Sequence, residues 1–149
     1  MGDSEADIKL AKAFARRAEL DLKSAKVLLD AGVYADSVYH AQQSVEKIVK
    51  ALLILENKFV RTHFVSSIFE RVIRKFEEKW RKRLEELIPI IVRLEENWVL
   101  PRYPEPFGEE IWDPLKEYTK DYAEKAIKDA ERVLKTLKEF VKEVYNIEL

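Results

Sequence analysis

Hydrophobic side chains recur along this chain at steps of three and four almost from end to end, the signature of amphipathic helices with one stripe facing a core. The first stripe, Ala11, Phe14, Ala18, Leu22, Ala25 and Leu29, predicts a helix from about Ser4 to Asp30. Ser4 with Asp7 gives it a capping-box-like start and Gly32 a stop, and the small residues in the stripe let a neighbour approach closely. Val38, Ala41, Val45, Ile48, Leu52 and Leu55 predict a second helix from about Ala35 to Glu56. The short link Gly32-Val33-Tyr34 makes the pair an antiparallel hairpin, and the polar stretch Asn57 to Arg61 ends it. Val65, Ile68, Phe69, Val72 and Phe76 mark a third, shorter helix with Thr62 as its N-cap. The strictest period, Trp80, Leu84, Leu87, Ile91, Leu94 and Trp98, marks a fourth from about Glu78 to Asn97, in which Pro89 removes a backbone donor and forces a kink or a division. Val99 to Asp113 reads as one long loop. Asp113-Pro114 then opens a last helix to about Tyr145, with Tyr122, Ala126, Ala130, Val133, Leu137, Val141 and Val144 turned inward. The expectation is an all-α fold: an antiparallel up-and-down bundle of four long helices plus one shorter helix, in a single domain over residues 1–149.

Composition narrows the picture further. Three glycines and five prolines among 149 residues are too few for the turns of a sandwich or barrel, and 47% hydrophobic content is too much for a disordered chain. A net charge of -1 supplies no global field for a polyanion or a membrane, so any phosphate contact must come from a local patch. The absence of cysteine removes disulfides, thiolate nucleophiles and Cys-type zinc sites together and fits a cytoplasmic location. The longest apolar runs, Ala51 to Leu55 and Ile88 to Val92, fall far short of the ~20 residues that span a bilayer, and the acidic start lacks the apolar core of a signal peptide. Abundant Lys and Glu with scarce Asn, Gln and Met is the bias of proteins that work hot.

Common enzyme motifs are missing. There is no Gly-rich phosphate loop, no His-Glu-x-x-His and no Gly-x-Ser-x-Gly, and the two histidines, His40 and His63, have no acidic residue at ligand spacing on the same face. No cofactor and no metal is expected. The second helix is less bland: His40, Gln43, Lys47 and Lys50 follow steps of three, four and three and form a row of donors beside the apolar stripe. Glu46 lies next to that row, placed to orient or neutralise a lysine, and the pair Gln42-Gln43 stands out in a chain nearly devoid of amides.

The segment Ala18-Glu-Leu-Asp-Leu-Lys-Ser-Ala-Lys-Val-Leu-Leu, then Gly32-Val-Tyr-Ala-Asp-Ser-Val-Tyr-His-Ala-Gln-Gln-Ser-Val-Glu-Lys-Ile-Val-Lys-Ala-Leu-Leu, then Thr62-His63, resembles the HEPN domain of prokaryotic proteins. Arg102-Tyr103-Pro104-Glu105 resembles that family's Arg-Tyr-Pro-acid element between its last two helices, so the resemblance covers nearly the whole chain. It implies a four- or five-helix bundle, commonly dimeric, and one of two functions. Many HEPN proteins are metal-independent ribonucleases marked by an arginine followed, after four to six residues, by a histidine. The positions required for His63 hold Glu56, Asn57 and Lys58, and those for His40 hold Val33, Tyr34 and Ala35. The other branch is non-catalytic, is encoded beside or fused to a minimal nucleotidyltransferase, and is proposed to help bind nucleotides. With the hallmark missing, the expectation is a homodimeric binding or accessory protein acting with a nucleotidyltransferase-like partner. His40, Gln43, Glu46, Lys47, Lys50, His63, Arg102 and Tyr103 are its candidate ligand-binding residues and none is expected to be catalytic. A phosphate needs donors rather than a general base. The alternative is a toxin-like endoribonuclease with a degenerate Arg-His motif.

Two further surfaces carry a signal. Phe59, Tyr103, Phe107, Ile111 and Trp112 fall in loops, where large apolar side chains call for cover, by the bundle or by a second copy. Arg81-Lys82-Arg83 heads a basic crowd near the junction of the third and fourth helices and is the candidate contact for an RNA backbone.

Overall fold

The computed structural model describes residues 4–59 and 61–149; the acidic opening Met1 to Asp3, on which the signal-peptide reading rests, and Val60 in the link after the second helix lie outside that description. Its helices are α1 (Glu5–Asp30), α2 (Tyr34–Leu55), α3 (Ser66–Ile73), α4 (Glu78–Glu85), α5 (Ile88–Glu95), α6 (Pro114–Glu117) and α7 (Lys120–Tyr145). Between α5 and α6 lies a small hairpin, β1 (Glu105–Phe107) and β2 (Glu110–Trp112), paired antiparallel with Glu105 opposite Trp112 and Phe107 opposite Glu110. The fold is a mostly helical bundle with α2 at its centre.

Local signals set the N-terminal hairpin. The Ser4 side chain accepts from the Asp7 amide, and Gly32 takes the left-handed conformation (φ 77°) that releases the chain from α1. Ala11, Ala15, Ala18 and Ala25 are fully buried, so α2 approaches α1 closely enough for the Ser37 hydroxyl to donate to the Ala25 carbonyl (2.7 Å). Seventeen of the twenty-two residues of α2 are buried, because α1, α5 and α7 surround it. The core runs through Ile48 and Leu52 of α2, Phe69 of α3, Leu84 of α4, Ile91 of α5, and Leu137 and Phe140 of α7.

Several details depart from the sequence reading. One expectation holds: of the kink or division foreseen at Pro89 the structure takes the division, α4 ending at Glu85 and α5 beginning at Ile88, with Pro89 in its first turn where a missing amide does no harm. The stretch after Val99 holds the β1–β2 hairpin around a turn at Gly108 (φ 64°). The last helix is interrupted after the single turn of α6. Tyr118 turns inward to donate to Asn97 Oδ1 (2.6 Å), and Thr119 caps the restart by accepting from the Tyr122 amide. Tyr122 and Val144 are half-exposed because the predicted stripe rotates off the core at both ends of α7, while Ile127, Leu134 and Phe140 join it. Phe14 sits at the rim, edge-on to Phe59. α3 starts at Ser66 rather than Thr62, and the buried carboxylate of Glu95 caps it. Glu95 accepts from the amides of Val65 (2.5 Å) and Ser66 (2.7 Å) and from the Ser66 hydroxyl (2.6 Å). Among the described residues no helix is long and apolar enough to cross a membrane.

Candidate functional site

The polar stripe of α2 is an interior seam. Gln42, Gln43, Glu46 and Lys50 are each less than a tenth exposed, so every polar atom there needs a partner. Two buried carboxylates organise it. Asp21, on α1, accepts from Lys47 Nζ (2.5 Å) through one oxygen and from His40 Nδ1 (3.1 Å) through the other. Glu46, on α2, accepts from Lys50 Nζ (3.2 Å), from Gln42 Nε2 (3.4 Å) and from His63 Nδ1 (3.1 Å), while Gln43 donates to Gln42 Oε1 (2.7 Å). Burial pushes the Asp21 carboxyl up. Its hydrogen bonds with His40 and Lys47, aided by their charges, more than reverse this and hold it below its ordinary value of 3.8. Asp21 is therefore ionised at neutral pH, and its acceptor oxygen sets the proton of the hydrogen bond on His40 Nδ1.

Above the seam lies a stack of rings. Trp98 follows the end of α5 and lies nearly parallel to His63, ring centroids 4.2 Å apart. Arg102 Nε donates to the Trp98 carbonyl (3.0 Å), which fixes the guanidinium over three rings, at 4.7 Å from Trp98, 5.0 Å from Tyr39 and 5.3 Å from Tyr103. Tyr39 meets His40 edge-to-face. The contacts form a circuit: Tyr39 to Arg102, Arg102 to Trp98, Trp98 to His63, His63 to Glu46, and Glu46 back along α2 to Tyr39. Among the described residues the terminal nitrogens of Arg102 have no ion-pair or hydrogen-bond partner.

The eight candidate ligand-binding residues all meet this assembly, but the parts differ from a row of free cations. Lys47 and Lys50 turn in to Asp21 and Glu46, and Gln43 is locked to Gln42. His40, His63, Arg102 and Tyr103 are the members that reach the surface, and Tyr103 is more than half exposed. Asp21, Tyr39 and Trp98 were missed as site residues. Asp21 had a signal, since it stands three residues after Ala18 and four before Ala25, a carboxylate within the apolar stripe of α1. Trp98 was read as core, and nothing local marked Tyr39. No group of three or more His, Cys, Asp or Glu side chains among the described residues is arranged to hold a metal ion.

The mostly helical bundle agrees with what the comparisons find. The model of the HEPN domain matches residues 11–140, and the chain belongs to the HEPN family. It is 55% identical over 149 residues to a protein of Methanocaldococcus jannaschii named "Putative toxin MJ1304", covering 99% of this chain and 98% of that one. The crystal structure of ST0689, an archaeal HEPN homologue, superposes with a TM-score of 0.67 at 25% identity over 89% of this chain and 98% of the other. TT1696 from Thermus thermophilus shares the fold, with a TM-score of 0.69 at 24% identity over 87% of this chain and 96% of that one.

Proposed function

We propose that this chain is a HEPN-type binding protein that holds a phosphate-bearing ligand, a nucleotide or a segment of RNA, against Arg102, His40 and His63, and works in the cytoplasm as a homodimer beside a nucleotidyltransferase-like partner. The observation that carries this reading is Arg102. Its guanidinium is pre-oriented by three rings and by its own Nε hydrogen bond, and its terminal nitrogens are left to form the forked pair that a phosphate accepts. Tyr103 and Phe64, both more than half exposed at the edge of the same assembly, offer ring surface on which a base stacks. Lys47 and Lys50 are consumed by carboxylates, so their part is to keep the seam neutral and rigid rather than to meet the ligand.

Calorimetric titration with ATP tests this. Arg102→Ala should weaken binding by about tenfold or more, the loss expected for a forked charge-assisted contact. Equal affinity in both proteins, or no binding by the wild type, rejects the ligand reading.

One observation favours a second reading, RNA scission. Each imidazole is held through Nδ1 by a buried carboxylate and keeps a partly exposed ring, the local setting in which a histidine serves as base or acid toward RNA. The name borne by the Methanocaldococcus jannaschii relative is consistent with it. Incubation with RNA in chelator separates the two: cleavage that disappears in a His40→Ala/His63→Ala variant makes the chain a metal-independent nuclease, and intact RNA leaves it a binder.

A further inference from the structure

α1 carries more apolar surface than its own fold uses. Its inward stripe is complete, yet on the opposite face Leu20 (48% exposed) and Val27 (58%) stand in a row with Arg16 and Lys23, at steps of four, three and four. Leu20, Lys23, Ser24, Val27 and Leu28 of α1 and His40 of α2 line an open groove of about 370 Å³. Neither Arg16 nor Lys23 has an ion-pair partner among the described residues.

The β1–β2 hairpin has the opposite character. Phe107 (72% exposed) projects from the face it shares with its cross-strand partner Glu110 and with Glu105, while Ile111 (65%) projects from the other face; Glu105, Glu109 and Glu110 are exposed and without ion-pair partners among the described residues. Phe107 flanked on its own face by the carboxylates of Glu105 and Glu110, and an apolar groove edged by cations, are complementary in character and in charge. The hairpin begins two residues beyond Tyr103, whose ring meets Arg102, and the groove ends at His40, so both flank the ring stack.

We infer that the hairpin of one copy docks in the α1 groove of a second copy, with Phe107 seated between Leu20 and Val27 and the hairpin carboxylates facing Arg16 and Lys23. This rests on the proposal that the chain self-associates and not on the ligand; an Arg102→Ala variant that loses nucleotide but keeps its oligomeric state leaves it standing.

Light scattering at micromolar concentration tests it, with thermal melts confirming that each variant folds. The wild type should be a dimer, and Phe107→Ser, a change at an exposed side chain, should weaken association by about tenfold or more. Glu110→Lys should weaken it as well, and adding Lys23→Glu to that variant should restore it. A monomeric wild type, a Phe107→Ser dimer as tight as the wild type, or a charge reversal without rescue would each overturn the inference.

Discussion

Two rows of cations looked alike in the sequence, one on α2 and one on α4, and the structure treats them differently. On α4, Arg81 pairs with Glu85, Lys82 with Glu78 and Arg83 with Glu139 on α7, all substantially open to solvent. Such pairs satisfy one another at the surface and add little to stability. On α2, Lys47 and Lys50 are paired too, but with carboxylates that are almost wholly buried, and a histidine shares each carboxylate. Neutralisation at the surface ends the story for α4. Neutralisation in the interior does something else for α2: it anchors two imidazoles beneath a loop that brings in Arg102, whose terminal nitrogens have no partner among the described residues. The cation proposed to meet the ligand comes from neither row.

The largest consequence of that difference is in stability. Glu46→Ala strands the Lys50 ammonium, only a tenth exposed, together with Gln42 and His63, and should cost about 3 kcal/mol, the size expected when one partner of a buried pair is removed. Chemical denaturation of the two proteins measures it, and a loss below about 1 kcal/mol would show that the seam is wetter and looser than it stands here.

Acid dependence comes next in size. Asp21 is held below its ordinary 3.8 by His40 and Lys47 against the opposing effect of burial, so its stabilisation is fully present above that value and is lost as pH falls through the lower folded one. Asp21→Asn removes this contribution. The stability gap between wild type and Asp21→Asn should be wide at neutral pH and should begin to close only below about pH 4, as read from melts across that range. A gap that stays constant would mean that the pairing with His40 and Lys47 does not hold Asp21 ionised.

How much of this could be read beforehand depends on distance along the chain. The Ser4 cap, the release at Gly32 and the break near Pro89 were legible because each is decided within one or two helical turns. The cap of α3 was not, since it comes from Glu95, about thirty residues away, and no pattern around Thr62 reports it. The hairpin escaped because strands of three residues are too short to show alternation. In the site, spacing placed His40, Gln43, Lys47 and Lys50 on one face correctly, but read that face as open to solvent. Its cover is Asp21 from α1 and the His63, Trp98 and Arg102 segments, all tertiary contacts.

The smallest expected effect is the sharpest check on the comparison. Replacing Arg81, Lys82 and Arg83 together by alanine removes three positive charges from α4, the same sign and a larger number than Arg102→Ala removes from the loop. If charge alone governed ligand capture, the triple variant would bind ATP more weakly than the single one. The proposed site gives the opposite order. The α4 side chains already have acidic partners, so each should contribute within about 0.5 kcal/mol to stability, apart from the Arg83 guanidinium 4.4 Å from the Trp80 ring, where lost packing adds slightly. ATP affinity should stay within about twofold of the wild type, whereas Arg102→Ala loses about tenfold or more. An affinity loss in the triple variant equal to that of Arg102→Ala would mean that a diffuse positive surface, and not a pre-oriented guanidinium, does the binding.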